Sequence, residues 1–279
     1  MSTSTPIQST LYQGINTVPL ELITDKPLSS PRPTPLLFVH GAWHGAWCWA
    51  EHFLPYFSAK GYECYALNLR GHGRSSIKGS VRFARIADYV ADVEEVAARM
   101  PAPPVLVGHS MGGFITQKYL ERHQAPAGVL LASPPPGGLL RAALRNARHD
   151  FRSFLQVNLQ MDLYRAVDTP VKTRQVLFSP DMPDDQVQEY FRKLGNDSYL
   201  AYLDMVLFSL PDPKRIQTPM LVLGAADDHN FSPAEVEATA RAYHAPYELF
   251  PNMAHDMMLE KGWESVASRI ATWLGEKGM

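Results

Sequence analysis

Five short apolar runs constrain this chain more than anything else in it: residues 36–40, 62–68, 105–108, 129–132 and 220–224. Each is dense in aliphatic and β-branched side chains, the pattern of a strand buried on both faces. Residues 247–250 form a weaker sixth run. Helix-length patterns separate them, over 47–60, 86–99, 112–123, 233–243 and 263–274. Strands alternating with helices predict right-handed βαβ units and a mainly parallel sheet with helices on both faces. Residues 14–24 alternate around turn formers and predict an antiparallel edge hairpin. The proline-rich stretch 27–35 reads as a connecting loop, because proline cannot donate to a sheet ladder.

The alternation breaks once. Residues 134–213 contain no convincing buried strand. Helical patterns occupy 139–154, 154–167, a segment opening at Pro183-Asp184-Asp185, and 197–207. Pro183 suits a first helical turn, and the two carboxylates after it suit the positive end of a helix. The expected organisation is a core domain of residues 1–133 and 214–279, with a helical cap of 134–213 inserted over the carboxyl edge of the sheet. That edge is where open α/β sheets bind ligands.

Composition narrows the partners. With 26 basic and 28 acidic side chains the net charge is −2, so no charge excess points to nucleic acid or an anionic membrane. Neither is expected. No apolar run approaches the ~18–20 residues that span a bilayer, and residues 1–10 lack the basic and apolar regions of a secretory signal. A cytoplasmic protein is expected. Cys48 and Cys64 are too far apart for a redox or zinc motif and read as buried thiols. No metal, cofactor or nucleotide motif appears.

The chemistry-bearing stretches are few. Gly108-His109-Ser110-Met111-Gly112-Gly113 follows a strand directly and opens a helix, the setting of a sharp turn that holds a serine hydroxyl exposed at a strand end. Glycines on both sides permit the turn, and the helix start places amides and a positive dipole beneath it. The first strand leads into His40-Gly41-Ala42-Trp43-His44-Gly45-Ala46-Trp47, and the second into Leu69-Arg70-Gly71-His72-Gly73-Arg74-Ser75. Asp227 and Asp228 stand side by side after the fifth strand. His255 lies in Pro251-Asn252-Met253-Ala254-His255-Asp256 and is the only one of ten histidines beyond Phe250.

Together these stretches resemble the α/β-hydrolase superfamily, from about residue 36 to 274. More narrowly they are similar to its small serine esterases, cofactor-free haloperoxidases (perhydrolases) and plant methyl-ester esterases. The resemblance implies the α/β-hydrolase fold and the chain order serine, acid, histidine. Ser110 is then the nucleophile, His255 its base, and an acid fixes the histidine tautomer. Asp228 is favoured over Asp227, because in relatives the apolar residue three positions on, here Phe231, packs under the loop while the acid points inward. Asp227 then reads as a turn former.

The amides of Ala42 and Met111 are the implied oxyanion donors, and Trp43 a candidate substrate contact. Trp47 and Trp49 read as packing. Many relatives carry Asp where this chain has Asn68, which reads as the loss of one loop-bracing carboxylate. Hydroxynitrile lyases of the superfamily usually lack the glycine at position 41 and use a lysine near the histidine, for which only Lys261 is available here. The aromatic and methionine residues Phe151, Phe154, Met161, Tyr164, Tyr199, Tyr202, Met205 and Phe208 read as cap core. The leading expectation is an esterase acting on a small apolar ester, thioester or lactone through an acyl-enzyme, without cofactor. The alternatives are C–C hydrolysis, perhydrolysis or a lyase or cyclase step on the same fold, and a non-catalytic receptor for a hydrophobic ligand.

Overall fold

The computed structural model describes residues 7–13, 18–28 and 30–279. Among these, eight strands form one sheet: β1 (Gln8–Tyr12), β2 (Leu20–Asp25), β3 (Leu36–Val39), β4 (Cys64–Asn68), β5 (Val105–His109), β6 (Gly128–Leu131), β7 (Met220–Ala225) and β8 (Tyr247–Phe250). Their order is β1-β2-β4-β3-β5-β6-β7-β8. β1 and β2 pair antiparallel with each other and β2 with β4, and the other neighbours are parallel. Of the edge hairpin expected over 14–24, β2 supplies one antiparallel strand, but its partner β1 lies before that range, and residues 14–17 lie outside the described residues.

The central strands read as unbroken apolar runs because both faces are covered. Leu36, Phe38, Val105, Val107, Leu221 and Leu223 join one core cluster. Their neighbours Leu37, Val39, Leu106 and Val222 join the other. This is the period-two alternation of a strand with apolar partners on each side. Helices α1 (Trp47–Ala50), α2 (Phe53–Ala59) and α11 (Trp263–Glu276) serve the first cluster. Helices α3 (Ile86–Ala97), α4 (Met111–Leu120) and α10 (Pro233–Ala242) serve the second.

The single helix expected over 47–60 is two. Pro55 has no amide to donate to Glu51, and its ring would clash with that carbonyl, so the helix restarts at Phe53 with the proline in its first turn.

Between β6 and β7 the described chain is strand-free. It carries α5 (Leu140–His149), α6 (Phe151–Gln160), α7 (Pro170–Leu177), α8 (Asp184–Lys193) and α9 (Tyr199–Leu203), with a π turn at Asp204–Phe208. α7, capped by the Thr169 hydroxyl with Pro170 in its first turn, was not expected. Pro183 precedes α8 in extended conformation rather than lying inside it. Of the aromatics and methionines expected as core, Tyr199 and Met205 are buried, but Phe151 and Phe208 are exposed. Among the described residues no helix is long and apolar enough to cross a membrane.

Candidate active site

Ser110 stands between β5 and α4 with φ 50° and ψ −122°, a region that costs a non-glycine residue about 1–3 kcal/mol. The surroundings impose it. The Ser110 amide donates to Leu131 O of β6 at 3.0 Å, and Gly113 and Phe114 amides donate back to Ser110 O. A Cβ on Gly112 would sit 2.1 Å from Val39 O, so only glycine lets α4 start this close to β3. The turn therefore holds its serine at the carboxyl end of the central strands.

The loop after β3 closes on the same point. A Cβ on Gly41 would approach Ser110 Cβ and His109 Nδ1 to 2.9 Å each. Neither the Ala42 amide nor the Met111 amide has a hydrogen-bond partner among the described residues. Met111 is the first residue of α4, where a helix leaves its amides free.

The loop after β7 brings the neighbours Asp227 and Asp228. Asp228 is buried and Asp227 exposed, so the two neighbours have opposite surroundings. His255 Nδ1 donates to Asp228 Oδ2 at 2.8 Å, and the Asn230 amide donates to Asp228 Oδ1 at 2.7 Å. α10 begins just beyond, fixed by Pro233 in its first turn and by the Glu235 carboxylate, which accepts from the Ser232 amide. Phe231 is buried with its ring 5.6 Å from that of His255. Burial alone would depress the His255 pKa. The Asp228 carboxylate outweighs it, with help from Asp256, and the pKa is raised above its ordinary value.

His255 is in turn seated on the serine turn: His109 Nε2 donates to His255 O at 2.9 Å, and the two rings lie 4.8 Å apart. Burial and the neighbouring His255 push the His109 pKa down to about 3, so His109 is a neutral brace. The Ser110 hydroxyl itself has no hydrogen-bond partner among the described residues.

Two buried His–Asp pairs surround this centre, and sequence reasoning missed both. His44 Nδ1 faces Ala42 O at 2.7 Å and its Nε2 faces Asp256 Oδ2 at 2.9 Å. Burial would raise the Asp256 pKa, but His44, His109 and His255 hold it below the usual carboxylate range. His72 Nε2 lies 3.1 Å from Asp197 Oδ2. Against the effect of burial, the two partners raise the His72 pKa and lower that of Asp197. Asp197 also accepts from the Trp43 amide at 2.9 Å, Trp43 Nε1 donates to Leu163 O at 3.1 Å, and Trp43 O accepts from Gly195 at 2.8 Å.

Trp43, at φ 66°, thus ties the loop beside Ser110 to the helical insertion. Trp47 stacks on His44 and on Tyr190 of α8, and Trp49 packs on Phe38 and Phe53. Asn68 keeps the brace expected to be lost: its Oδ1 accepts from the Ala46 amide at 2.7 Å and its Nδ2 donates to Glu21 Oε2 at 2.8 Å. Beside Glu21 an amide serves better than a second carboxylate.

His109, His255 and Asp256 each offer a ligand atom within 4.8 Å of the others. Hydrogen bonds to His255 O, Asp228 and His44 engage these three side chains. Lys261 is exposed and pairs with Asp181. A cavity of about 360 Å³ lies at the other edge of the sheet, lined by Tyr12, Leu22, Tyr65 and Arg99 among others, and holds none of these groups.

The sequence profile of the alpha/beta hydrolase family matches residues 36–269. The phospholipase YtpA of Bacillus subtilis (strain 168) is 24% identical over 206 residues, covering 69% of this chain and 75% of that protein. The probable esterase PIR7A of Oryza sativa subsp. indica is 33% identical over 132 residues, or 41% of this chain and 47% of that one. Among solved structures, a thermophilic esterase from Thermogutta terrifontis superposes with a TM-score of 0.72 over 98% of this chain and 100% of that one, at 19% identity. That likeness is one of fold.

Proposed function

The chain belongs to the alpha/beta hydrolase family, and from that footing we propose that it is a serine esterase with Ser110 as nucleophile, His255 as base and Asp228 as the acid that orients it. One observation carries the reading: His255 donates Nδ1–H to a buried carboxylate while its ring is seated against the turn that presents Ser110. Nδ1 thus engaged, Nε2 is left to take the serine proton.

In acylation, Ser110 Oγ bonds to the ester carbonyl carbon as its proton passes to His255 Nε2. The carbonyl oxygen becomes an oxyanion facing the unpartnered amides of Ala42 and Met111, each such donor being worth about 3–4 kcal/mol in the transition state. Collapse breaks the C–O bond, and His255 returns the proton to the leaving alcohol. Water then attacks the acyl-enzyme with His255 again as base, releasing the acid and restoring Ser110. Residues 134–213 are read as a cap over this centre, supplying apolar walls for the acyl or alcohol group. No lysine follows the base here: Asp256 occupies that position and Lys261 pairs elsewhere, which favours ester hydrolysis over a lyase step.

The names of the relatives, a phospholipase and a probable esterase, agree with this class. Purified protein is expected to cleave short p-nitrophenyl esters and to be labelled by a fluorophosphonate at Ser110 alone. Ser110→Ala is expected to lose about a million-fold in kcat with unchanged folding. Full turnover by that variant rules the proposal out.

A further inference from the structure

The outer face of the insertion carries an arrangement that the esterase reading does not use. On α6, Phe151, Leu155 and Leu159 recur at every fourth position, so they form one stripe along the helix. The stripe points outward: these side chains are 65%, 43% and 75% exposed. On the adjoining α5, Leu140 and Leu144 repeat the spacing and are exposed as well. α5 packs on α6 and on the π turn Asp204–Phe208, where Leu207 and Phe208 are also exposed. A scattered exposed leucine is ordinary. A run of large apolar side chains along two packed helices marks an interaction surface.

The charges beside the stripe identify what it meets. The chain as a whole has no basic excess, but residues 139–160 hold four arginines, Arg141, Arg145, Arg148 and Arg152, against the single acid Asp150. Asp150 accepts from the Ser153 amide as the cap of α6. Arg145 is engaged by Asn230 O and Glu235. The exposed Arg141, Arg148 and Arg152 have no salt-bridge partner among the described residues. Arginine beside Phe and Leu on surface helices is the composition of a segment that lies in a bilayer interface, with apolar side chains in the acyl boundary and cations at phosphate level. A second protein chain would have to supply both an apolar groove and acids at matching spacing. A phospholipid surface supplies both chemistries at any register.

We infer that the α5–α6 face docks on the surface of an anionic phospholipid bilayer, held by the Phe151–Leu155–Leu159 stripe and by Arg141, Arg148 and Arg152. Arg145 joins this face to Asn230, whose amide holds Asp228. The docked surface therefore lies on the structure that borders the candidate site.

The full chain is mixed with vesicles of phosphatidylcholine and phosphatidylglycerol in equal parts, or of phosphatidylcholine alone, and sedimented. Binding is read without turnover, so it stands or falls separately from the esterase reading. The protein is expected in the pellet with the anionic vesicles, several-fold more than with the neutral ones. NaCl at about 1 M, where charges are screened beyond ~3 Å, is expected to remove the difference. R141Q/R148Q/R152Q is expected to lose the anionic preference, and F151Q/L155Q/L159Q to lose binding to both vesicles, with melting temperatures unchanged.

Leu159→Glu, at the most exposed position, repeats the apolar test with one change. A wild-type chain that stays in the supernatant, that pellets equally with both vesicles, or that is matched by both triple variants overturns the inference. So does a dimer in sedimentation velocity that F151Q/L155Q/L159Q abolishes while vesicles remain unbound, because the stripe is then covered by a second copy.

Discussion

The candidate site, floored by the loops after β3, β5, β7 and β8, and the outer face of α5 and α6 treat their side chains in opposite ways. On the floor buried polar side chains pair with one another, His255 with Asp228, His44 with Asp256 and His40 accepting from the Leu69 amide, while His109 Nδ1 and Asp256 Oδ1 are buried without a hydrogen-bond partner among the described residues. On the outer face of α5 and α6, large apolar groups and arginines face outward without cover. The first arrangement holds side chains in set directions, as the proposed chemistry at one carbonyl requires. The second tolerates any register, as contact with a fluid surface requires. Between them lies the Trp43 joint, where Asp197, Leu163 and Gly195 hold the floor loop.

Substitutions that separate the two regions sharpen this contrast. The largest effect is expected for Asp228→Asn, which keeps the shape of the floor but favours the wrong His255 tautomer. kcat should fall by about 10⁴, while vesicle binding stays unchanged. A fall below tenfold, measured with a p-nitrophenyl ester, breaks the assignment of the acid. Asp197→Asn removes one partner of a buried pair and is expected to cost about 3–5 kcal/mol of stability, read by urea unfolding. The same change should expose α5–α9 to proteolysis before the sheet, and loss of the sheet first would refute the joint.

Gly41→Ala drives a methyl into Ser110 and His109. It should lower kcat/KM by about a hundredfold with a smaller change in stability, and the reverse order of effects would make Gly41 a packing residue only.

Acidity gives a finer test. Protonated His255 cannot accept the serine proton, so kcat/KM should fall on the acid side with a midpoint above the ordinary histidine value of 6.5. For stability the signs differ by partner. The raised pKa of His72 contributes fully below about 6.5 and is lost as pH rises through that raised value. The lowered pKa values of Asp197 and Asp256 contribute above about 3.9 and are lost as pH falls through them. Proteolysis of the insertion is therefore expected to be slowest between these limits. Smallest of all, Leu155→Gln is expected to leave unfolding free energy within about 0.5 kcal/mol. A cost above 2 kcal/mol would place that side chain in a core and remove the contrast.

Much of the sheet was legible because burial on both faces leaves strands no choice but continuous apolar residues, as in Leu36–Val39 and Met220–Ala225. The Ser110 turn was legible because flanking glycines, a strand and a helix fall within a few residues of one another. The break before Pro55 is local too, and follows once the proline is placed in a first turn. α7 escaped because its apolar positions are sparse and its start depends on one Thr–Pro step.

The pairs His44–Asp256 and His72–Asp197 join residues 212 and 125 positions apart, so no local spacing announces them. Phe151 and Phe208 read as core from the sequence because periodicity says that a helix has an apolar stripe, not what the stripe faces.

Trp43 carries a consequence for any redesign of this protein. Its indole and both of its peptide groups are committed to the insertion, and the amide assigned to the oxyanion belongs to the residue just before it. Rebuilding the helices around Leu163 or Asp197 to admit a different substrate therefore also moves the amide that the esterase proposal assigns to the oxyanion. On that proposal selectivity and rate form a single adjustable quantity at this joint, and a library that diversifies one is expected to report on both.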